Sequence, residues 1–214
     1  MNKAKTIIRL GEAGVIAVIR GDSMEIALKS SHAVIEGGIL GVELTFTVPQ
    51  ADEVIRTLVT TYKNRPEVLI GAGTVLDAVT ARLAIMAGAQ YIVSPCFDAE
   101  TASICNLYQV PYLPGCMTLT EMTTALKSGV DIVKLFPGNA FGPSIVSAVK
   151  APLPQLSIMP TGGVSLDNME AWFNAGVIAV GVGGNLLAPA VTGDYDKVVE
   201  VAKQYSEKYR TIKG

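Results

Sequence analysis

The stretch Asp131-Ile132-Val133-Lys134-Leu135-Phe136-Pro137-Gly138 reads as a short buried strand. β-Branched and aromatic residues crowd it, and Pro137-Gly138 closes it. Alternation along a strand sends Ile132, Lys134 and Phe136 to one face and Val133 and Leu135 to the other. A strand buried on both faces is a poor place for an ammonium group, because a charge taken out of water needs a partner. Two readings follow. Lys134 either reaches past the strand end to water, or it stands in a pocket whose dryness favours the neutral, nucleophilic amine.

The same pattern repeats on either side. Short apolar segments recur about every 20 to 26 residues, each followed by a helical stretch. After a leading helix over residues 2–12, strands are expected at 15–19, 42–46, 68–70, 91–94, 112–113, in the lysine stretch, at 157–159 and at 178–182. Gly37-Gly38 and Gly176 mark helix ends, Asp77 and Ser165 are candidate N-caps, and Thr118 with Glu121 has capping-box spacing. Gly71-Ala72-Gly73-Thr74 reads as the turn after the third strand. Strand–helix units repeated without a composition break predict an α/β fold, a (β/α)8 TIM barrel with a short N-terminal helix. One domain would cover residues 1–214. An open doubly wound sheet is disfavoured, because no GxGxxG opens a helix after the first strand.

Composition narrows the function. Half of the 214 residues are hydrophobic and 17% are charged, enough for a sizeable core. A net charge of −2 without a basic cluster predicts no nucleic-acid and no membrane-surface partner. No apolar run reaches the roughly 18 residues of a membrane span. Residues 1–14 lack a signal-peptide core, and Cys96, Cys105 and Cys116 have no metal-ligand spacing, so reduced thiols in a cytoplasmic protein are expected. His32, the single histidine, argues against a histidine-rich metal site and against a Ser-His-Asp triad.

Barrel active sites form at the C-terminal strand ends. The residues to weigh there are Arg20, Glu43, Thr45, Thr74, Pro95, Cys116, Lys134, Phe136, Thr161 and Asn185. By alternation, Val42 and Leu44 face the helices, while Glu43 and Thr45 face inward with Lys134. An inward carboxylate is as costly as the lysine unless the two serve each other or water. A structural salt bridge is one reading. The other is a nucleophilic lysine beside a general acid/base: the amine condenses with a ketone, and the iminium draws electrons from the neighbouring bond. That chemistry needs neither metal nor cofactor. Thr161-Gly162-Gly163 and Gly183-Gly184-Asn185 follow the seventh and eighth strands, where barrels often hold phosphate, although tight turns alone would also use such glycines. Thr74 could hold a small carboxylate, and Arg20 could clamp one or simply pair with Asp22. Cys96 and Cys116 read as pocket-lining or incidental, His32 as a helix-surface residue, and Trp172 as packed in the helical layer.

Val42-Glu43-Leu44-Thr45, Gly71-Ala72-Gly73-Thr74-Val75, Ser94-Pro95, Pro114-Gly115, Val133-Lys134-Leu135-Phe136-Pro137, Pro160-Thr161-Gly162-Gly163 and Gly183-Gly184 occur in this order. Together they closely resemble the 2-keto-3-deoxy-6-phosphogluconate (KDPG) aldolase family, whose members often also cleave 4-hydroxy-2-oxoglutarate. The resemblance implies a homotrimeric class I aldolase acting on a phosphorylated keto acid and releasing pyruvate. In it Lys134 matches the Schiff-base lysine and Glu43 the general acid/base. Thr74, Pro95, Phe136 and Thr161 match pyruvate-pocket positions, and Gly162, Gly163, Gly184 and Asn185 match the phosphate end, where many relatives carry serine in place of Asn185. One position departs: many relatives have a carboxylate-gripping arginine where this chain has Thr47, and Arg20 is the candidate substitute. The galactonate-derived epimer of KDPG stays open as the substrate. So do an isomerase, epimerase or synthase using Glu43 as base, and a non-catalytic sensor of a sugar acid.

Overall fold

The structure, a computed structural model, describes residues 2–214. Helix α1 (Asn2–Ala13) leads into β1 (Val15–Ile19), α2 (Met24–Glu36), β2 (Gly41–Thr45), α3 (Ala51–Thr61), β3 (Leu69–Gly73), α4 (Ala78–Ala87), β4 (Ile92–Val93) and α5 (Ala99–Leu107). Then come β5 (Tyr112–Leu113), β6 (Gly115–Cys116), α6 (Leu119–Lys127), β7 (Ile132–Leu135), α7 (Ser144–Lys150), β8 (Ser157–Pro160), α8 (Met169–Asn174), β9 (Val180–Val182), α9 (Gly184–Leu187) and α10 (Tyr195–Lys213).

Every strand pair is parallel. A six-stranded sheet has the order β5-β4-β3-β2-β1-β9, and a three-stranded sheet has the order β6-β7-β8. The expected fifth strand is β5, and a further segment not expected from the sequence, β6, follows it beyond Pro114, which has no N–H to give the ladder. Its carbonyl still accepts from the Lys134 N–H at 2.9 Å. Between β8 and β9, Ile178 N–H donates to Ile158 O at 3.1 Å, and Thr161 bridges to Gly181. The parallel sheets are thus curled; β4 and β9 are shorter than the expected segments, β2 and β3 are shifted from them, and β8 runs one residue longer.

The two strand faces separate as alternation requires. Ile16, Leu69, Tyr91, Val93, Leu113, Ile132 and Met159 form an inner cluster with Leu10 of α1. Val15, Ala17, Ile19, Val42, Leu44, Val133 and Leu135 belong to the outer cluster that packs against the helices. Each fully buried Leu, Ile or Val contributes about 1.5–3 kcal/mol. Trp172 is part of this helical layer, as expected. Strand alternation therefore turns Glu43 and Lys134 inward.

Helix boundaries follow local chemistry. Asp77 accepts from the Thr80 N–H at 2.7 Å, and Thr118 with Glu121 forms the full capping box. Ser165 is not the cap of α8. Asn168 starts that helix, and its Oδ1 accepts from the Ser165 N–H at 2.9 Å. Gly71 and Gly73 are strand residues of β3 rather than the turn after it. Side chains from neighbouring strands lie over both positions, and a Cβ at either would collide with them.

Candidate active site

Lys134 on β7 and Glu43 on β2 meet on the inner face. Nζ is 3.3 Å from Oε1, with the side chains only 6% and 1% exposed. Nζ also lies 5.1 Å from the centroid of the Phe136 ring, whose face attracts a cation. Glu43 Oε2 is buried without a hydrogen-bond partner. The salt bridge considered from the sequence therefore exists, yet it leaves one carboxylate oxygen free.

Glycines make this arrangement possible. A Cβ at Gly73 would strike the carboxylate and Cγ of Glu43. A Cβ at Gly181 would strike the hydroxyl of Thr161. Thr161 directly follows β8, beside the lysine strand; its N–H donates to Leu135 O at 3.0 Å, and its Oγ1 is buried and unpartnered. The vicinity of Lys134 thus holds two buried oxygens with hydrogen-bonding capacity to give a bound molecule. Neither Gly73 nor Gly181 stood out in the sequence as part of the site. The signal was present in glycines spaced by two within strands, where glycine marks close approach of a neighbour.

Other strand-end residues separate into two groups. Thr74, just past β3, is half-buried with φ +55°, a left-handed backbone that β-branched residues avoid. Such strain concentrates at functional sites. Pro95 and Phe136 are half-buried at the ends of β4 and β7. Thr45, by contrast, is spent on structure: its hydroxyl donates to Ile19 O at 2.9 Å and pairs with that of Thr47 at 2.7 Å. Cys116 packs in the outer cluster, where burial pushes its thiol up to about 12. His32 is half-buried on α2 and hydrogen-bonds the Tyr62 hydroxyl at 2.7 Å, which ties α2 to the end of α3.

The glycine turns lie at the same ends of the strands. Gly162 and Gly163 have φ +93° and +75°. Successive N–H groups in such turns can form an anion-binding concavity. Beyond β9, Gly184 and Asn185 begin the short α9 and are exposed. Gly183 and Gly184 line a cavity of about 370 Å³ together with Val18, Arg20 and Leu187. Arg20 is exposed, and among the described residues no ion pair joins it to Asp22. Arg20 shares this cavity with the glycine turn, while Lys134, Glu43, Thr74 and Thr161 do not line it. Among the described residues no three His, Cys, Asp or Glu side chains converge as a metal site, and no helix is long and apolar enough to cross a membrane.

Comparison with known proteins gives one consistent result. A sequence model described as KDPG and KHG aldolase matches residues 6–201. The chain is 34% identical over 197 residues to the 2-dehydro-3-deoxy-6-phosphogalactonate aldolase of Escherichia coli K12, covering 92% of this chain and 94% of that one. It is 35% identical over 194 residues to the 2-dehydro-3-deoxy-phosphogluconate aldolase of Treponema pallidum, covering 89% and 90%. Among solved structures it matches the KDPG aldolase of Legionella pneumophila with pyruvate captured as a covalent carbinolamine. That match has a TM-score of 0.84 at 28% identity, over 95% of this chain and 97% of the other.

Proposed function

The chain belongs to the KDPG and KHG aldolase family and is a lyase, and from that premise we propose how its own residues carry the reaction. Lys134 is the nucleophile. Its Nζ adds to the ketone carbon of a 2-keto acid, and loss of water gives an iminium. The C3–C4 bond then breaks as the C4 hydroxyl loses its proton; the aldehyde leaves, and the bonding pair becomes an enamine. Protonation at C3 and hydrolysis release pyruvate and regenerate the amine. Glu43, acting through water, moves the protons in each step. The observation that carries this reading is the 3.3 Å contact between an inward lysine and a carboxylate that keeps one oxygen unpartnered.

Thr74, Pro95, Phe136 and Thr161 are the proposed pyruvate pocket. Thr161 supports its place with an unpartnered hydroxyl, and Thr74 with its strained backbone. Gly162, Gly163, Gly184 and Asn185 are the proposed phosphate end. Arg20 shares its cavity with Gly184, which supports a role for its guanidinium at that anion. The substrate we propose is KDPG, cleaved to pyruvate and glyceraldehyde 3-phosphate, with 4-hydroxy-2-oxoglutarate as a further substrate. The galactonate-derived epimer is a second reading, favoured by the similarity to the Escherichia coli enzyme of that name. Assays with both epimers separate the two.

We also propose that the two sheets are one closed (β/α)8 barrel in a single domain, with β5 and β6 counted as one strand. The Ile178–Ile158 hydrogen bond and the Thr161–Gly181 bridge support closure. A homotrimer is the proposed assembly. Val79, Leu83 and Met86 lie on one face of α4 at 72%, 50% and 63% exposure, an apolar stripe suited to burial against another copy. The three free cysteines support a cytoplasmic location.

The experiment that tests the catalytic reading is borohydride reduction in the presence of pyruvate, followed by peptide mapping. A reduced adduct on Lys134 is the expected result. Folded protein without an adduct would remove the nucleophile.

A further inference from the structure

Tyr91 precedes β4 and points to the inner face, where it is fully buried. Its ring lies over Gly71, since a Cβ at that position would fall on the phenol carbons. The β2–β3 register places Gly71 directly opposite Glu43, and Ala72 pairs with Ile92 on the other side. Tyr91, Gly71 and Glu43 therefore occupy one level of the inner face across three adjacent strands. Because Gly71 and Gly73 have no side chains, the phenol ring and the Glu43 carboxylate fill successive inward positions over β3. Two oxygens on this face are buried and unpartnered: the Tyr91 hydroxyl, whose ring lies over Gly71, and Glu43 Oε2, whose carboxylate lies over Gly73, the next inward position along β3. A buried polar group left without a partner is costly. One of these oxygens is an obligate acceptor when ionised, and the other carries a proton to give. Burial, and then the nearby Glu43 charge, hold the phenol well above its ordinary range, so it stays a donor.

We propose that Tyr91 is a positioning residue for Glu43. Its hydroxyl donates to a single water that in turn donates to Oε2, and so holds Oε1 toward Lys134 and the substrate. Tyr91 does not touch the reacting atoms; it fixes the carboxylate that does. The inference rests on the Schiff-base reading above, and the test keeps the two apart.

In the unmodified protein, pyruvate must be trapped on Lys134 by borohydride, and solvent deuterium must enter the pyruvate methyl group. Failure of both would fall on the Schiff-base reading. Given both, Tyr91→Phe keeps the ring over Gly71 and removes only the oxygen. Imine trapping at equilibrium is expected to stay within two-fold, while methyl exchange slows about ten-fold, the rate equivalent of one hydrogen bond. Unchanged exchange, or trapping and exchange falling together, would overturn the proposal. Should Tyr91→Phe not fold, the ¹³Cζ resonance of Tyr91 in protein labelled at tyrosine serves instead. It should move on Glu43→Gln, and an unmoved resonance would overturn the proposal.

Discussion

Lys134 Nζ and Glu43 Oε1 stand 3.3 Å apart although the two residues are 91 positions apart in the chain. The separation exceeds the roughly 2.7–2.9 Å of a tight charge-assisted bond. The two atoms are in direct hydrogen-bond contact, close enough to sense each other's charge. Removing one partner strands the other in a dry interior. Lys134→Met should therefore destabilise the fold by about 3–5 kcal/mol. Adding Glu43→Gln should give a double variant less destabilised than the two single effects summed, by about 0.5–3 kcal/mol. Denaturant unfolding of the four proteins measures this, and strict additivity would mean that the two side chains do not sense each other. Glu43→Gln alone should lower the cleavage rate by about 10²–10⁴ while the protein stays folded, because an amide moves no protons.

Gly73 sets the position of that carboxylate. A methyl group there would occupy the space of Oε1 and Cγ of Glu43. Gly73→Ala should cost about 1–3 kcal/mol from overpacking and displace Glu43 from the lysine. Turnover should fall at least as far as in Glu43→Gln, with pyruvate trapping weakened as well. Gly11→Ala is the control. Nothing lies within 4 Å of its Cβ position, and the residue is inside α1. That change should stabilise the protein by about 0.5–1 kcal/mol and leave turnover unchanged. Thermal melts and steady-state rates on both variants decide the matter.

Much of this was legible in the sequence, and what was missed has a common cause. Alternation alone turned Lys134 and Glu43 to the inner face, because a period of two leaves no other choice once Val42, Leu44, Val133 and Leu135 are apolar. The capping residues Asp77 and Thr118 were legible because their bonds are local. Gly71 and Gly73 were read as a turn because glycine is the usual turn signal. Their role depends on Tyr91 and Glu43 from neighbouring strands, and no local pattern carries that. The segment β6 beyond Pro114 was not expected, because its pairing with β7 is a contact between distant parts of the chain. Arg20 was named from its strand-end position as a candidate carboxylate clamp, and the cavity it shares with Gly183 and Gly184 depends on a distant strand that no local pattern reveals.

Glu121, outside the proposed site residues, gives a pH signature of its own. Its carboxylate accepts from the N–H groups of Met117 and Thr118 at 2.7 and 2.8 Å. These backbone bonds hold its pKa below the ordinary value of 4.5. A carboxylate depressed on folding adds stability above its unfolded pKa and loses it as pH falls through the folded one. At pH 7, Glu121→Ala should therefore melt lower than the unmodified protein. The gap should close on acidification below about pH 4.5, as the carboxylate protonates. Paired melts from pH 7 to pH 3 show this directly, and a gap independent of pH would assign the loss to packing alone.

The proposed role of Arg20 at an anionic end of the substrate can be tested on one variant. It lines the cavity beside Gly183 and Gly184, and the position where many relatives are expected to carry arginine is the exposed Thr47. If Arg20 meets the phosphate, Arg20→Ala removes a charge-assisted hydrogen bond of about 1.5–3 kcal/mol, or roughly 10- to 150-fold in affinity. The KM for the phosphorylated substrate should rise by that factor. The pyruvate concentration that half-saturates borohydride trapping should not move, because pyruvate has no phosphate to lose. The reverse pattern, weakened trapping by pyruvate with a matching loss for the full substrate, would instead assign Arg20 to the pyruvate carboxylate in place of the residue absent at Thr47. Measuring both constants on one variant distinguishes the two arrangements, because only the phosphate role lets pyruvate binding escape the substitution.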